Sequence, residues 1–191
     1  MSNPPTPIVS VEDLETFMET EFSQVYLDGR IYSITDLRPG VLTMRLDPTE
    51  RHLRPGGTVS GPSLFTLADY AAYCVILAHI GLKGLSVTTS FHIDFMRKAE
   101  PGPVYCAAKL LKLGKRLVVV EISITDEKDQ LIAYGSCTYS ISPRVPSGSR
   151  GCVLQRDRSR TGRTCSSNGT WRRRKFVPST ISGSLIRSIR K

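Results

Sequence analysis

Residues 54–82 read RPGGTVSGPSLFTLADYAAYCVILAHIGL, and the reading of this stretch decides the fold. It opens on glycines and prolines and becomes an apolar run. From Gly61 to Leu82 the only formal charge is Asp69. Leu64, Phe65, Leu67, Ala68, Ala71, Ala72, Val75, Ile76, Leu77 and Ala78 cover almost the whole circumference of a helix. A helix that is apolar all round is buried inside a protein or in lipid. Asp69, His79, Ser63, Thr66, Cys74 and two tyrosines argue for the protein interior, because charge in lipid is costly. No membrane span is expected.

Ser60 is a good N-cap, its hydroxyl placed to accept from the Ser63 N–H. Gly61 and Pro62 then occupy the first turn, where proline is tolerated. Pro62 has no N–H, so Gly61 and Ser63 carry the free donors nearest the helix tip. A glycine N–H at the positive end of a helix, with no side chain in the way, suits a developing oxyanion. Asp69 is the second candidate. A lone carboxylate in an apolar helix is costly unless it is paired or used. It is either a structural acid bonded to Thr66 one turn back or Tyr73 one turn on, or a group that does chemistry. Gly61 and Asp69 are separated by eight residues, about 12 Å along a helix axis. That is too far for both to act on one carbonyl. If they cooperate, they come from two antiparallel copies of the helix, across a dimer interface.

Working outward, Ser10–Phe22 has Val11, Leu14, Phe17, Met18 and Phe22 at helical spacing, with Ser10 as cap and Asp13 in the capping-box position. Arg30–Thr35 and Val41–Leu46 alternate as strands around a turn at Arg38-Pro39-Gly40. His52 lies in the polar loop 47–57 and reads as a surface or hinge residue. After the helix the period becomes two. In Ser86–Arg97 the alternation puts Thr89, Phe91, Ile93 and Phe95 on one face, with Thr88, Ser90, His92 and Asp94 on the other. Val104–Leu113, Arg116–Thr125 and Leu131–Ile141 follow as strands, joined by short turns. The pattern predicts an α+β fold, an antiparallel sheet wrapped around one long central helix, with the last four strands as a meander.

Charge divides the chain. Residues 143–191 carry a net +12, and the preceding 142 residues carry −3. The basic segment has no periodicity and reads as a disordered tail; an out-of-frame or vector-derived end competes with a functional one. Its Trp171–Lys175 cluster is at most a non-specific polyanion contact, so nucleic acid is not an expected partner. Residues 1–9 read as a mobile leader and 10–142 as the folded domain. Cys74, Cys106 and Cys137 read as small core residues. No C-x-x-C pair occurs, so no metal site is expected. The N-terminus has no basic region followed by an apolar core, which leaves the cytoplasm as the expected location.

Several strings in order complete the reading. They are Arg54-Pro55-Gly56-Gly57-Thr58-Val59-Ser60-Gly61, Leu67-Ala68-Asp69, Val87-Thr88, Ile93-Asp94-Phe95-Met96-Arg97, Leu113-Gly114-Lys115-Arg116 and Gly135-Ser136-Cys137-Thr138-Tyr139. Together they resemble the hotdog-fold acyl-CoA thioesterases of the PaaI type over about residues 10–142. The resemblance implies a homodimer, often paired into a homotetramer, that hydrolyses acyl-CoA without a metal or other cofactor. It implies Asp69 as nucleophile or general base, Gly61 N–H as oxyanion donor and Thr88 as a hydroxyl that places the water or the carboxylate. Ser60 stands where many members have a histidine, and Arg54 near the position of a side-chain amide. Arg97, Lys115 and Arg116, with Arg54, are the candidates for the coenzyme A phosphates. The competing expectation is a non-catalytic acyl-CoA- or lipid-binding hotdog protein.

Overall fold

The computed structural model describes residues 4–27, 29–82 and 86–141. The basic tail expected at 143–191 lies outside them. The first helix, α1, runs Val11–Glu21. The Ser10 hydroxyl accepts from Asp13 N–H at 3.1 Å and donates to the Asp13 carboxylate at 2.7 Å, so the cap is reciprocal. A 3-10 turn at Ser23–Tyr26 follows. The strands are β1 Tyr32–Arg38, β2 Val41–Leu46, β3 Ser86–Phe95, β4 Val104–Leu113, β5 Leu117–Asp126 and β6 Leu131–Ile141. The central helix, α2, runs Gly61–Ile80 between β2 and β3. The leader expected at 1–9 is held at its far end, where Ile8 and Val9 both donate to the Ala78 carbonyl.

All six strands form one antiparallel sheet in the order β1-β2-β4-β5-β6-β3. The expected four-strand meander is therefore only three strands long. β3 lies at the edge beside β6, and β2 takes the place next to β4. The β3–β4 connection, residues 96–103, explains this. It is too long for a tight hairpin, and Pro101 and Pro103 offer no N–H to a ladder. It crosses past the entry to α2 instead, where Val59 N–H donates to Ala99 O at 2.9 Å.

The helix α2 packs against β2, β4 and β5. Alternate residues of those strands face it: Leu42, Met44 and Leu46, then Val104, Cys106 and Ala108, then Val118, Val120, Ile122 and Ile124. Cys74, Cys106 and Cys137 are free and buried in this core, as their apolar settings predict. By length and composition α2 could cross a membrane, but twelve of its twenty residues are buried within the fold. The wrapping is incomplete, however. Gly61, Pro62, Phe65, Thr66, Asp69, Tyr70 and Tyr73 are not buried, and they recur at helical spacing. They form one stripe that the chain covers only in part: Tyr32 and Phe22 lie against Tyr70 and Tyr73, and Phe91 lies against Phe65.

Two contacts fix the ends of this layer. His79 is buried near the end of α2; its Nε2 accepts from Gly40 N–H at 3.0 Å and its Nδ1 donates to Val75 O at 2.7 Å. The ring thereby pins the β1–β2 turn to the helix. At the sheet edge, Gly135 of β6 sits opposite Ile93 of β3. A Cβ on Gly135 would lie 2.2 Å from the His92 carbonyl oxygen and 2.9 Å from Ile93 Cα. Both obstacles are backbone, so neither can rotate away. Gly135→Ala is expected to destabilise the fold by at least about 3 kcal/mol. The check is the urea unfolding midpoint, and an unchanged midpoint would mean β3 and β6 do not approach this closely.

Candidate active site

The partly covered stripe of α2 carries the candidate residues. Ser60 caps the helix as the sequence predicts, accepting from Ser63 N–H at 3.3 Å. Its hydroxyl also lies 2.8 Å from the Ser63 hydroxyl, which donates to the His52 carbonyl at 3.1 Å. Ser60 is thus committed to holding the helix start. His52 is buried, not at the surface; its Nδ1 accepts from Thr49 N–H at 3.2 Å, which satisfies the ring inside the loop. Gly61 follows as the first helical residue, and its N–H makes no hydrogen bond among the described residues.

Gly61 opens onto a cleft of about 350 Å³ that it shares with Arg54, Leu64, Phe95, Met96 and Arg97. Phe95 lies edge-on to this opening, its ring 3.7 Å from where a Gly61 Cβ would stand. Arg54 is tied by its Nε to Thr58 Oγ1 at 2.7 Å. Arg97 donates to Gln130 Oε1 and is exposed. One turn further along the stripe, Phe65 packs on Phe91 of β3 with ring centroids 4.5 Å apart.

Asp69 comes one turn after Phe65 and is half-buried. Neither Thr66 nor Tyr73 partners it, contrary to the structural reading of the sequence. The Thr66 hydroxyl turns back to Pro62 O instead, at 2.9 Å. Thr88 Oγ1 donates to Asp69 Oδ1 at 3.0 Å, and the Tyr139 hydroxyl bonds the same oxygen and lies 3.0 Å from the Asp69 carbonyl. Asp69 Oδ2 accepts no hydrogen bond among the described residues. Thr88 gets there through a β-bulge. The β3–β6 register jumps between Thr88 and Ser90, leaving Thr89 as the extra residue. The expected strict alternation fails at that point. Thr88 falls on the same face as Phe91 and Ile93, toward α2, rather than opposite them.

Tyr139 was not among the candidates, although it closes one of the quoted strings. It is 2% exposed. Burial pushes its phenol well above the ordinary value, and the bond to Asp69 raises it further, so it remains a donor. Burial, with the charge of Asp69 adding to it, pushes the neighbouring Cys137 thiol up to about 12.

The four candidate cations do not come together in one chain. Arg54 and Arg97 stand with Gly61. Lys115 and Arg116 are exposed in the β4–β5 turn, and Arg116 O accepts from Ile141 N–H beside the start of β3. That is the Asp69 end of the site. Thr88 and Phe95 are seven residues apart on β3, about 23 Å at strand rise. The site therefore has two halves: an oxyanion donor with an apolar cleft and two arginines, and a carboxylate with two basic residues nearby.

The thioesterase superfamily model matches residues 56–133, from the entry of α2 into β6. A crystal structure from a Silicibacter species, described as a "putative thioesterase", is 45% identical; the match covers 72% of this chain and 94% of that one, with a TM-score of 0.66. The 1,4-dihydroxy-2-naphthoyl-CoA hydrolase of Listeria monocytogenes is 25% identical over 111 residues, 58% of this chain and 90% of that enzyme. A Streptococcus pneumoniae structure, a "hypothetical thioesterase protein with coenzyme A", shares the fold at 17% identity and a TM-score of 0.57, covering 70% of this chain and 98% of that one. With a six-stranded antiparallel sheet and one long helix among the described residues, and with these relatives, the chain belongs to the thioesterase superfamily and has the hotdog fold.

Proposed function

We propose that the protein hydrolyses acyl-CoA thioesters, without a metal, in sites shared by two antiparallel protomers. The observation that carries this reading is the Asp69 carboxylate, half-buried, with Oδ1 held by Thr88 and Tyr139 and Oδ2 left open. The Listeria relative, a CoA-thioester hydrolase, supports the substrate class. In the general-base route, Asp69 Oδ2 takes a proton from water as the oxygen adds to the thioester carbonyl. The resulting oxyanion is met by Gly61 N–H of the second protomer at a helix N-terminus. Collapse breaks the C–S bond, and the proton passes to the departing thiolate. In the nucleophilic route the same oxygen adds to the carbonyl, and collapse breaks the C–S bond and expels the thiolate to leave a mixed anhydride. Water then opens it, freeing the acid and restoring the Asp69 carboxylate while its proton goes to the thiolate.

A dimer solves two problems at once. The partly exposed stripe of α2 and the free edge of β3 would be covered by a second copy. With the helices antiparallel, Gly61, Arg54 and Arg97 of one protomer would meet Asp69, Lys115 and Arg116 of the other, bringing four cations to one coenzyme A. The acyl group would then lie against Phe65, Phe91 and Phe95. The test is free-thiol release from a panel of short, medium, long and aromatic acyl-CoAs. Turnover of any class supports the reading. Saturable binding without turnover would favour the non-catalytic alternative, which the commitment of Ser60 to its capping bonds favours.

A further inference from the structure

The Tyr139 hydroxyl is more than a core tyrosine needs. Tyr139 is buried in the core, opposite Val118 in the β5–β6 register, where a phenylalanine would bury the same apolar surface. A buried hydroxyl costs free energy unless it is hydrogen-bonded. This one turns to Asp69, bonding the side-chain Oδ1 and lying 3.0 Å from the main-chain oxygen of the same residue, with the Thr88 hydroxyl as a further hydrogen-bonding neighbour. Tyr139 and Thr88 are register partners on adjacent strands. Their two hydroxyls therefore converge on one carboxylate oxygen from neighbouring positions of the β6–β3 ladder. With Oδ1 taking both bonds, the carboxylate is tethered through one oxygen, and Oδ2 accepts no hydrogen bond among the described residues.

We infer that Tyr139 is the positioning residue of the site: it holds Asp69 Oδ1 so that Oδ2 is the oxygen free to meet the thioester. This rests on the hydrolase reading above. Thr88 supplies the second donor from β3, so the carboxylate is held from two strands at once.

The test is Tyr139→Phe in the full chain, read in two ways. The first is the Asp69 side-chain rotamer from NMR three-bond couplings, which needs no turnover: the wild type is expected to hold one χ1 and the variant to average over several. The second is steady-state kinetics, where kcat at neutral pH is expected to fall about tenfold with KM little changed, since positioning of the carboxylate is lost and substrate binding is not. Thermal unfolding of the variant shows whether the core is intact; where it is not, the wild-type couplings decide, and rotamer averaging of Asp69 in the wild type overturns the inference by itself. A merely structural tyrosine would shift the melting temperature and leave both the rotamer and kcat in place; that result overturns the inference. If the wild type turns over no thioester, the hydrolase reading fails, while an unchanged Asp69 rotamer in the variant fails the Tyr139 inference separately.

Discussion

Asp69→Asn lowers thioester turnover by on the order of 10³-fold or more, with the fold intact. The substitution keeps the shape and one acceptor. The asparagine carbonyl can still receive the Thr88 and Tyr139 hydroxyls, as Oδ1 of the acid does at 3.0 Å from Thr88. The amide nitrogen then stands where Oδ2 was. It can neither take a proton from water nor attack a carbonyl, so both chemical routes end there. Stability should be equal or higher, since a half-buried charge has been replaced by a neutral group. Thiol release and thermal unfolding measured on the same preparation check both halves. Turnover within tenfold of the wild type would move the chemistry to another residue. A collapse in melting temperature would make Asp69 a structural acid.

The second large effect is expected at Gly61, where the donor is a backbone group. Gly61→Pro removes that N–H; because residue 61 precedes Pro62, the variant also carries the pre-proline restriction on a helical backbone, which circular dichroism reads. The N–H has no partner among the described residues, and the first helical position tolerates proline. Ser60 already has φ −75° and ψ 150°, the extended backbone that a residue before proline adopts. A Cβ at Gly61 meets the Phe95 ring at 3.7 Å, an ordinary contact. The helix should therefore persist while the oxyanion loses its donor. Removal of one such donor lowers kcat by about 10²- to 10³-fold. The measurement is kcat on the best substrate of the panel, with circular dichroism as the control for helix content. Full activity in a folded Gly61→Pro protein would mean that the carbonyl is polarised elsewhere.

Much of this arrangement is legible in the sequence, for identifiable reasons. β2, β4 and β6 have the limits their sequences suggest, and β2 alternates throughout because one face lies on the core. The α2 start is legible because Ser60, Gly61 and Pro62 each have one favourable place there. Asp69 stands out because it is the sole charge in an apolar run. Its partners are another matter. Thr88 and Tyr139 lie 19 and 70 residues away, and what joins them to Asp69 is strand register, which no local pattern encodes. The bulge at Thr89 reverses the face of Thr88, and nothing in SVTTSFHIDF marks it. The position of β3 beside β6 depends on the path of residues 96–103 across the entry to α2, a tertiary constraint. His52 is hidden for the opposite reason: its loop is polar, and nothing local marks the buried ring that Thr49 bonds.

Gly61 and Asp69 of different protomers are expected to make each site, and mixing two inactive proteins tests this. The Asp69→Asn and Gly61→Pro chains are co-expressed, or unfolded together and refolded, and thiol release is measured on the mixture. In a mixed dimer one site receives the intact Gly61 of the first chain and the intact Asp69 of the second; the other site receives both lesions. With random pairing, the mixture should recover about a quarter of wild-type turnover, as expected for a two-fold symmetric pair. A mixture as inactive as either variant alone would contradict the account and return both groups to a single chain.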